Sequence, residues 1–166
     1  MIVLRDRVEI EATPERVFEW FWHLDANYRS WHPAHVSCRY LRGRGLANGS
    51  VLYAEEYLHG KLHGLRFSLM NVVPDRGFSY RVFPGLRGEF RMRPTDHQTE
   101  LVAEIRVGWT MPGIGAAVDA VLRIVLGRVL TDLQQHMREE GVNLRRLLAE
   151  GSMLAEVGDA QESRLM

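Results

Sequence analysis

The sequence has a single cysteine, Cys38, among 166 residues. An intramolecular disulfide is therefore excluded, and with it the disulfide-stapled class of small secreted domain. A zinc site built wholly from thiolates is excluded for the same reason. Net charge is also lacking: 21 basic and 21 acidic residues give a formal charge of zero. A protein whose main task is to neutralise nucleic-acid phosphate is expected to be basic, so no nucleic-acid partner is expected. No apolar run approaches the roughly 20 residues that a membrane span needs. The opening Met-Ile-Val-Leu-Arg-Asp-Arg-Val-Glu reads as a strand with charges and not as a signal peptide. The expectation is a soluble, cytoplasmic chain with one domain over residues 1–149 and a flexible tail over residues 150–166.

What is present has a clear order. Residues 2–11 alternate like a strand. Thr13 then suits a helix N-cap and Pro14 the first helical position, with Val17, Phe18, Phe21 and Trp22 on one side of the helix. A second short helix or turn covers residues 25–34, interrupted at Pro33. From residue 36 the period changes to 2, with strands expected at 36–43, 49–58, 62–73, 77–84, 87–93 and 99–109. Tight-turn residues such as Asn48-Gly49, His59-Gly60 and Pro84-Gly85 separate them, as in an antiparallel meander. After Pro112-Gly113 the period returns to 3.6, and residues 114–148 run as one helix without proline. Its apolar stripe is Val118, Val121, Leu122, Val125, Val129 and Leu133. The fold class is α+β: a curved antiparallel sheet wrapped around a long C-terminal helix, with a ligand pocket between them.

Continuing that stripe gives His136, Glu140 and then Leu144. His136 and Glu140 are four residues apart, so they share the face meant for the core. A buried carboxylate needs a partner. Either the helix end leaves the core, or other side chains bond the pair, or a cation sits there. Partners exist in Trp31-His32-Pro33-Ala34-His35 and in Glu55-Glu56. If His59-Gly60 is a two-residue turn, Glu56 lies opposite His63 and shares the inward face with Leu52, Ala54, Leu65 and Phe67, while Glu55 points out. A one-residue slip would reverse that choice, and His32 competes with His35. His35, Glu56, His136 and Glu140 then form a nitrogen and oxygen ligand set for a divalent ion, zinc being the first choice. His63 either donates a hydrogen bond to one of those ligands or shuttles a proton in that arrangement.

The element order resembles the START-like, or SRPBCC, superfamily of polyketide cyclase/dehydrase-like proteins with the helix-grip fold. The resemblance rests on Ile10-Glu11-Ala12-Thr13-Pro14-Glu15-Arg16-Val17-Phe18 and on Pro74-Asp75-Arg76-Gly77-Phe78-Ser79-Tyr80. Within the superfamily, the polar constellation is similar to that of the 2,4-diacetylphloroglucinol hydrolases, through His32-Pro33-Ala34-His35, Glu56 and His136-Met137-Arg138-Glu139-Glu140. That resemblance implies a zinc ion held by two histidines and two glutamates, and hydrolysis of a carbon–carbon bond between an acyl group and an aromatic ring. His63 and Tyr53 are the candidate proton donors in such a reaction.

Two other functions fit the same fold. One is a non-catalytic carrier of a hydrophobic small molecule, its pocket lined by Trp20, Phe21, Leu52, Leu65, Phe67, Leu69, Trp109 and Val125. The other is a metal-free cyclase or dehydratase using histidine and glutamate as acid and base. In every case the expected partner is a small hydrophobic or aromatic ligand. The aromatic and methionine content permits a homodimer without requiring one.

Overall fold

The computed structural model describes residues 1–58, 60–96, 98–108 and 127–162, with side chains through residue 151. Strand β1 (Ile2–Ile10) is followed by helices α1 (Pro14–Trp22) and α2 (Leu24–Trp31). Six strands follow: β2 (His35–Arg42), β3 (Val51–Leu58), β4 (Lys61–Val73), β5 (Gly77–Phe83), β6 (Leu86–Pro94) and β7 (Thr99–Val107). Helix α3 (Gly127–Glu162) closes the described chain. The seven strands form one antiparallel sheet in the order β1-β7-β6-β5-β4-β3-β2. Each strand from β2 to β7 pairs with its neighbour in sequence, and β1 closes the far edge against β7. This is the α+β helix-grip arrangement.

Local chemistry explains the boundaries. The Thr13 side chain accepts from the Arg16 N–H, and Pro14 occupies the first turn, where its missing N–H costs nothing. Helix α1 buries Val17, Phe18 and Phe21. Trp22, expected on that buried side, is 41% exposed. Its indole lies over Gly45, where an added Cβ would come within 2.3 Å of the ring. Helix α2 ends at Trp31, and His32 is extended (φ −147°, ψ 143°). Proline at 33 disfavours helical geometry in the residue before it, which accounts for that stop.

Phe21 is the centre of the core. Its ring meets Trp31 and Phe78 edge-on at 5.5 and 5.4 Å and tilts against Phe90 at 5.0 Å. In α3, Met137, Leu144 and Leu148 are buried. Val129 and Leu133, expected on the inward stripe, line the space between sheet and helix, where Val129 is 41% exposed. Val118, Val121, Leu122, Val125 and Trp109 lie outside the described residues. Helical backbone continues to Glu162, through much of the segment expected to be a flexible tail. No proline interrupts it, and Met153, Leu154, Ala155 and Glu156 are good helix formers. Among the described residues, no helix is long and apolar enough to cross a membrane.

Candidate ligand pocket and its histidine–carboxylate cluster

Between the concave face of the sheet and helices α2 and α3 lies a cavity of about 560 Å³. Its walls are mostly apolar and aromatic, with Phe21, Trp31, Phe67, Phe78 and Phe90 among them. Leu52, Leu65 and Leu69 also line it, as the sequence suggests, whereas Trp20 does not. Trp20 instead stands edge-on to Phe21 and Trp31, at 5.2 and 5.5 Å. A cavity of this size and lining suits a compact organic molecule. At one place its wall is strongly polar.

That place is built from three elements. Strand β3 pairs with β4 as the two-residue turn requires: Leu58 faces Lys61, Glu56 faces His63, Ala54 faces Leu65 and Leu52 faces Phe67. Glu56 is therefore inward and buried. Glu55 is on the other face, accepting from the Ser37 hydroxyl at 2.8 Å. On the other side of β3, Glu56 is the direct cross-strand partner of His35. A register shift between His35 and Ser37 inserts Val36 as a bulge. The bulge turns His35 inward although Ser37, two residues on, faces out. Helix α3 supplies His136 and Glu140 from one face, one turn apart.

The four side chains meet at one point. His35 Nε2 lies 3.3 Å from His136 Nε2, 3.2 Å from Glu140 Oε1 and 3.5 Å from Glu56 Oε2. His136 Nε2 lies 3.5 Å from Glu140 Oε1 and 3.9 Å from Glu56 Oε2. Supporting contacts fix these positions. His35 Nδ1 is 2.9 Å from the Tyr28 carbonyl, which can only accept, so Nδ1 carries a proton. The Tyr28 hydroxyl donates to Glu56 Oε2 at 2.8 Å, and Trp31 Nε1 donates to the Glu140 carbonyl at 3.0 Å.

The electrostatics of the cluster are strained without positive charge. Burial disfavours the anion of Glu140, but hydrogen bonds and charge from His136 and His35 outweigh it, holding the carboxyl at about 2. Burial likewise opposes the imidazolium of His136, yet the bond to Glu140 and the charges of Glu140 and Glu56 raise it overall. Burial and the Glu56 charge push the Tyr28 phenol far up, so it stays a donor. Two carboxylates and two Nε2 atoms around one point need protons on nitrogen or a cation between them.

The remaining candidates are elsewhere. His32 offers a nitrogen within 4.8 Å of those of His35 and His136, but both its nitrogens are engaged. Nδ1 accepts from the Ala34 N–H at 3.0 Å, and Nε2 lies 2.8 Å from Glu139 Oε2. Its ring still lines the cavity, 4.1 Å from that of His136. Tyr53, expected as a proton donor, is on the opposite face of the sheet. It reaches toward Glu55 at 3.4 Å and lies across Gly64, where a Cβ would stand 2.1 Å from its oxygen. Alternation forces this, since Leu52, Ala54 and Glu56 take the inward side. His63 is opposite Glu56 in register but exposed, with Lys61, Leu62 and Gly64, at the end of the β3–β4 hairpin. It is not among the residues that line the cavity. Tyr28 is the cluster residue that sequence reading misses. Its spacing of three from Trp31 on α2 was the available signal.

The fold and pocket define a class: helix-grip proteins with a cavity between sheet and helix. The chain belongs to the polyketide cyclase/dehydrase and lipid transport family, whose sequence pattern matches residues 1–139. No curated protein matches. Solved structures agree on the fold. TTHA0849 from Thermus thermophilus superposes with a TM-score of 0.64 at 17% identity, covering 91% of this chain and 99% of that one. The Zhui aromatase/cyclase from Streptomyces sp. R1128 gives 0.58 at 18% identity, over 90% of this chain and 98% of that one. The KanY protein, solved by NMR, gives 0.67 at 14% identity over 89% and 97% of the two chains.

Proposed function

We propose that this chain binds a small, mainly apolar molecule bearing a carbonyl or phenol oxygen, and that His35, Glu56, His136 and Glu140 act on that oxygen. One observation carries the reading: Glu56, His136 and Glu140 line a mostly apolar cavity, and buried His35 stands behind them with its Nε2 3.2–3.5 Å from a polar atom of each. The family match to polyketide cyclases and dehydrases supports the same class of ligand. In a reaction of that class, a carboxylate takes a proton from carbon beside a carbonyl. An imidazolium gives one to the oxygen, and water leaves or a ring closes. The test is turnover and binding with an aryl ketone such as 2,4-dihydroxyacetophenone. Saturable binding that His136→Ala weakens at least tenfold supports the reading. Binding indifferent to His136 contradicts it, and binding without turnover of any ketone leaves a carrier.

A finer reading is favoured by the donor spacing. A tetrahedral zinc site with bond lengths of about 2.0–2.1 Å has ligand atoms about 3.3–3.4 Å apart. The separations of 3.2–3.9 Å in the cluster bracket that value. His35 directs its Nε2 inward because the Tyr28 carbonyl holds Nδ1–H, the usual arrangement for a histidine ligand. His35, Glu56, His136 and Glu140 therefore fit a divalent ion, which when bound would supply Lewis-acid polarisation of a ketone oxygen. With it, the resemblance to 2,4-diacetylphloroglucinol hydrolases becomes a reaction. Water oxygen ends on the acyl carbon, which leaves as a carboxylic acid, and a proton ends on the ring carbon. His32 lines the cavity beside these residues, its Nε2 paired with Glu139. Burial lowers its proton affinity and the Glu139 bond opposes that. Elemental analysis of purified protein decides the point. One divalent ion per chain, lost in His136→Ala, supports the hydrolase; none after incubation with zinc favours metal-free chemistry.

A further inference from the structure

Tyr80 sits near the middle of β5 with its ring in the cavity wall. Its cross-strand partner on β6 is Gly88. A Cβ at position 88 would come within 2.2 Å of Tyr80 Cζ and 2.3 Å of the hydroxyl oxygen. The ring therefore lies flat across bare glycine backbone, a seat that no other residue at 88 would leave open. Phe67 stands edge-on to it at 5.3 Å, and Phe90 tilts against it at 6.1 Å. The ring is held on three sides.

The hydroxyl is not held. Among the described residues, no group hydrogen-bonds it, whereas the hydroxyls of Tyr28, Tyr40 and Tyr53 each have a partner. A hydroxyl turned into an apolar cavity without a partner is unfavourable, and phenylalanine would fill the same seat without that cost. Burial, with the charges of Glu140 and Glu56, keeps the phenol protonated far beyond neutral pH, so it is a standing donor. Among the described residues no hydrogen bond joins it to the cluster: its ring tilts against Phe90, which meets Trp31 at 6.0 Å, and Trp31 meets His35 at 5.5 Å.

We propose that the Tyr80 hydroxyl is a second polar anchor, donating a hydrogen bond to a ligand oxygen remote from the one held at the histidine–carboxylate cluster. The inference rests on the pocket reading above and narrows its ligand class. The fitting molecule is a flat aromatic with oxygens at two separated positions. A simple acyl-chain lipid, with one polar end, uses only the cluster.

The test compares two probes, 2,6-dihydroxynaphthalene with an oxygen at each end and 2-naphthol with one. Both are titrated into wild type and Tyr80→Phe, with thermal melting to confirm folding. Wild type should prefer the diol, and Tyr80→Phe should lower diol affinity by about 3- to 10-fold, the worth of one net hydrogen bond. Affinity for 2-naphthol should change less than about twofold. Equal losses for both probes, or an unchanged preference, overturn the role of Tyr80 and leave the pocket reading intact. Failure of wild type to bind either probe overturns both. Gly88→Ala, which displaces the ring from its seat, should abolish the preference in the same way.

Discussion

The imidazole of His35 lies flat on the phenol ring of Tyr28, with 3.9 Å between centroids and 2° between planes. The Tyr28 carbonyl accepts the His35 Nδ1–H, and the Tyr28 hydroxyl binds Glu56, so one residue of α2 orients two members of the cluster. Tyr28→Phe keeps the stack and the carbonyl and removes only the bond to Glu56. Zinc affinity, measured by competition with a chelator, should fall by about 10- to 100-fold, the usual cost of losing such an outer partner. Stability without metal should fall by about 1–2 kcal/mol.

Filling the cavity should separate binding from folding. Leu65 is half-buried, inward-facing and part of the cavity wall. Leu65→Trp places a larger ring in open volume, not into packed core, so its cost in stability should stay below about 1.5 kcal/mol. Probe binding by titration should weaken more than tenfold. Unchanged affinity would mean that the ligand sits elsewhere.

Turnover should not depend on the two residues first expected as proton donors. Tyr53→Phe and His63→Gln should leave turnover within about twofold, because one faces the outer side of the sheet and the other is exposed off the cavity. Steady-state kinetics with matched elemental analysis checks both.

The outer face of the sheet gives a pH prediction. Glu104 is 2% exposed and bonds Arg5 Nε at 3.0 Å, Arg91 Nη2 at 3.2 Å and Arg106. Burial raises its carboxyl, but the arginines outweigh this and hold it below the ordinary 4.5. A depressed folded value means the unfolded chain binds the proton first. The stabilisation is therefore complete above 4.5 and is lost as pH falls through the folded value. Glu104→Gln should cost about 1–3 kcal/mol in urea unfolding at neutral pH. That difference should shrink as pH falls from 4.5 through the lower folded value.

Much of this was legible in the sequence, and particular residues show where legibility ended. A two-residue turn read from His59-Gly60 in the sequence implies the observed pairing of Leu58 with Lys61, so Glu56 rather than Glu55 could be read as inward from alternation. His136 and Glu140 followed from helical spacing. His35 against His32 could not be settled that way. The bulge at Val36 reverses the face of His35, and a bulge leaves no periodic trace. Tyr53 and His63 lie off the cavity for different reasons. Tyr53 obeys the same alternation that placed Glu56, which puts it on the outer face. His63 obeyed its register, but its end of the hairpin is exposed. The hydroxyl of Tyr80 was invisible because its meaning depends on what surrounds it in space.

The most direct measurement is a crystal structure of the protein with 2,6-dihydroxynaphthalene. The account predicts the probe inside the sheet–helix cavity, with one oxygen against His35, Glu56, His136 and Glu140. A probe bound outside the cavity, or inside it with no oxygen at that cluster, would contradict it.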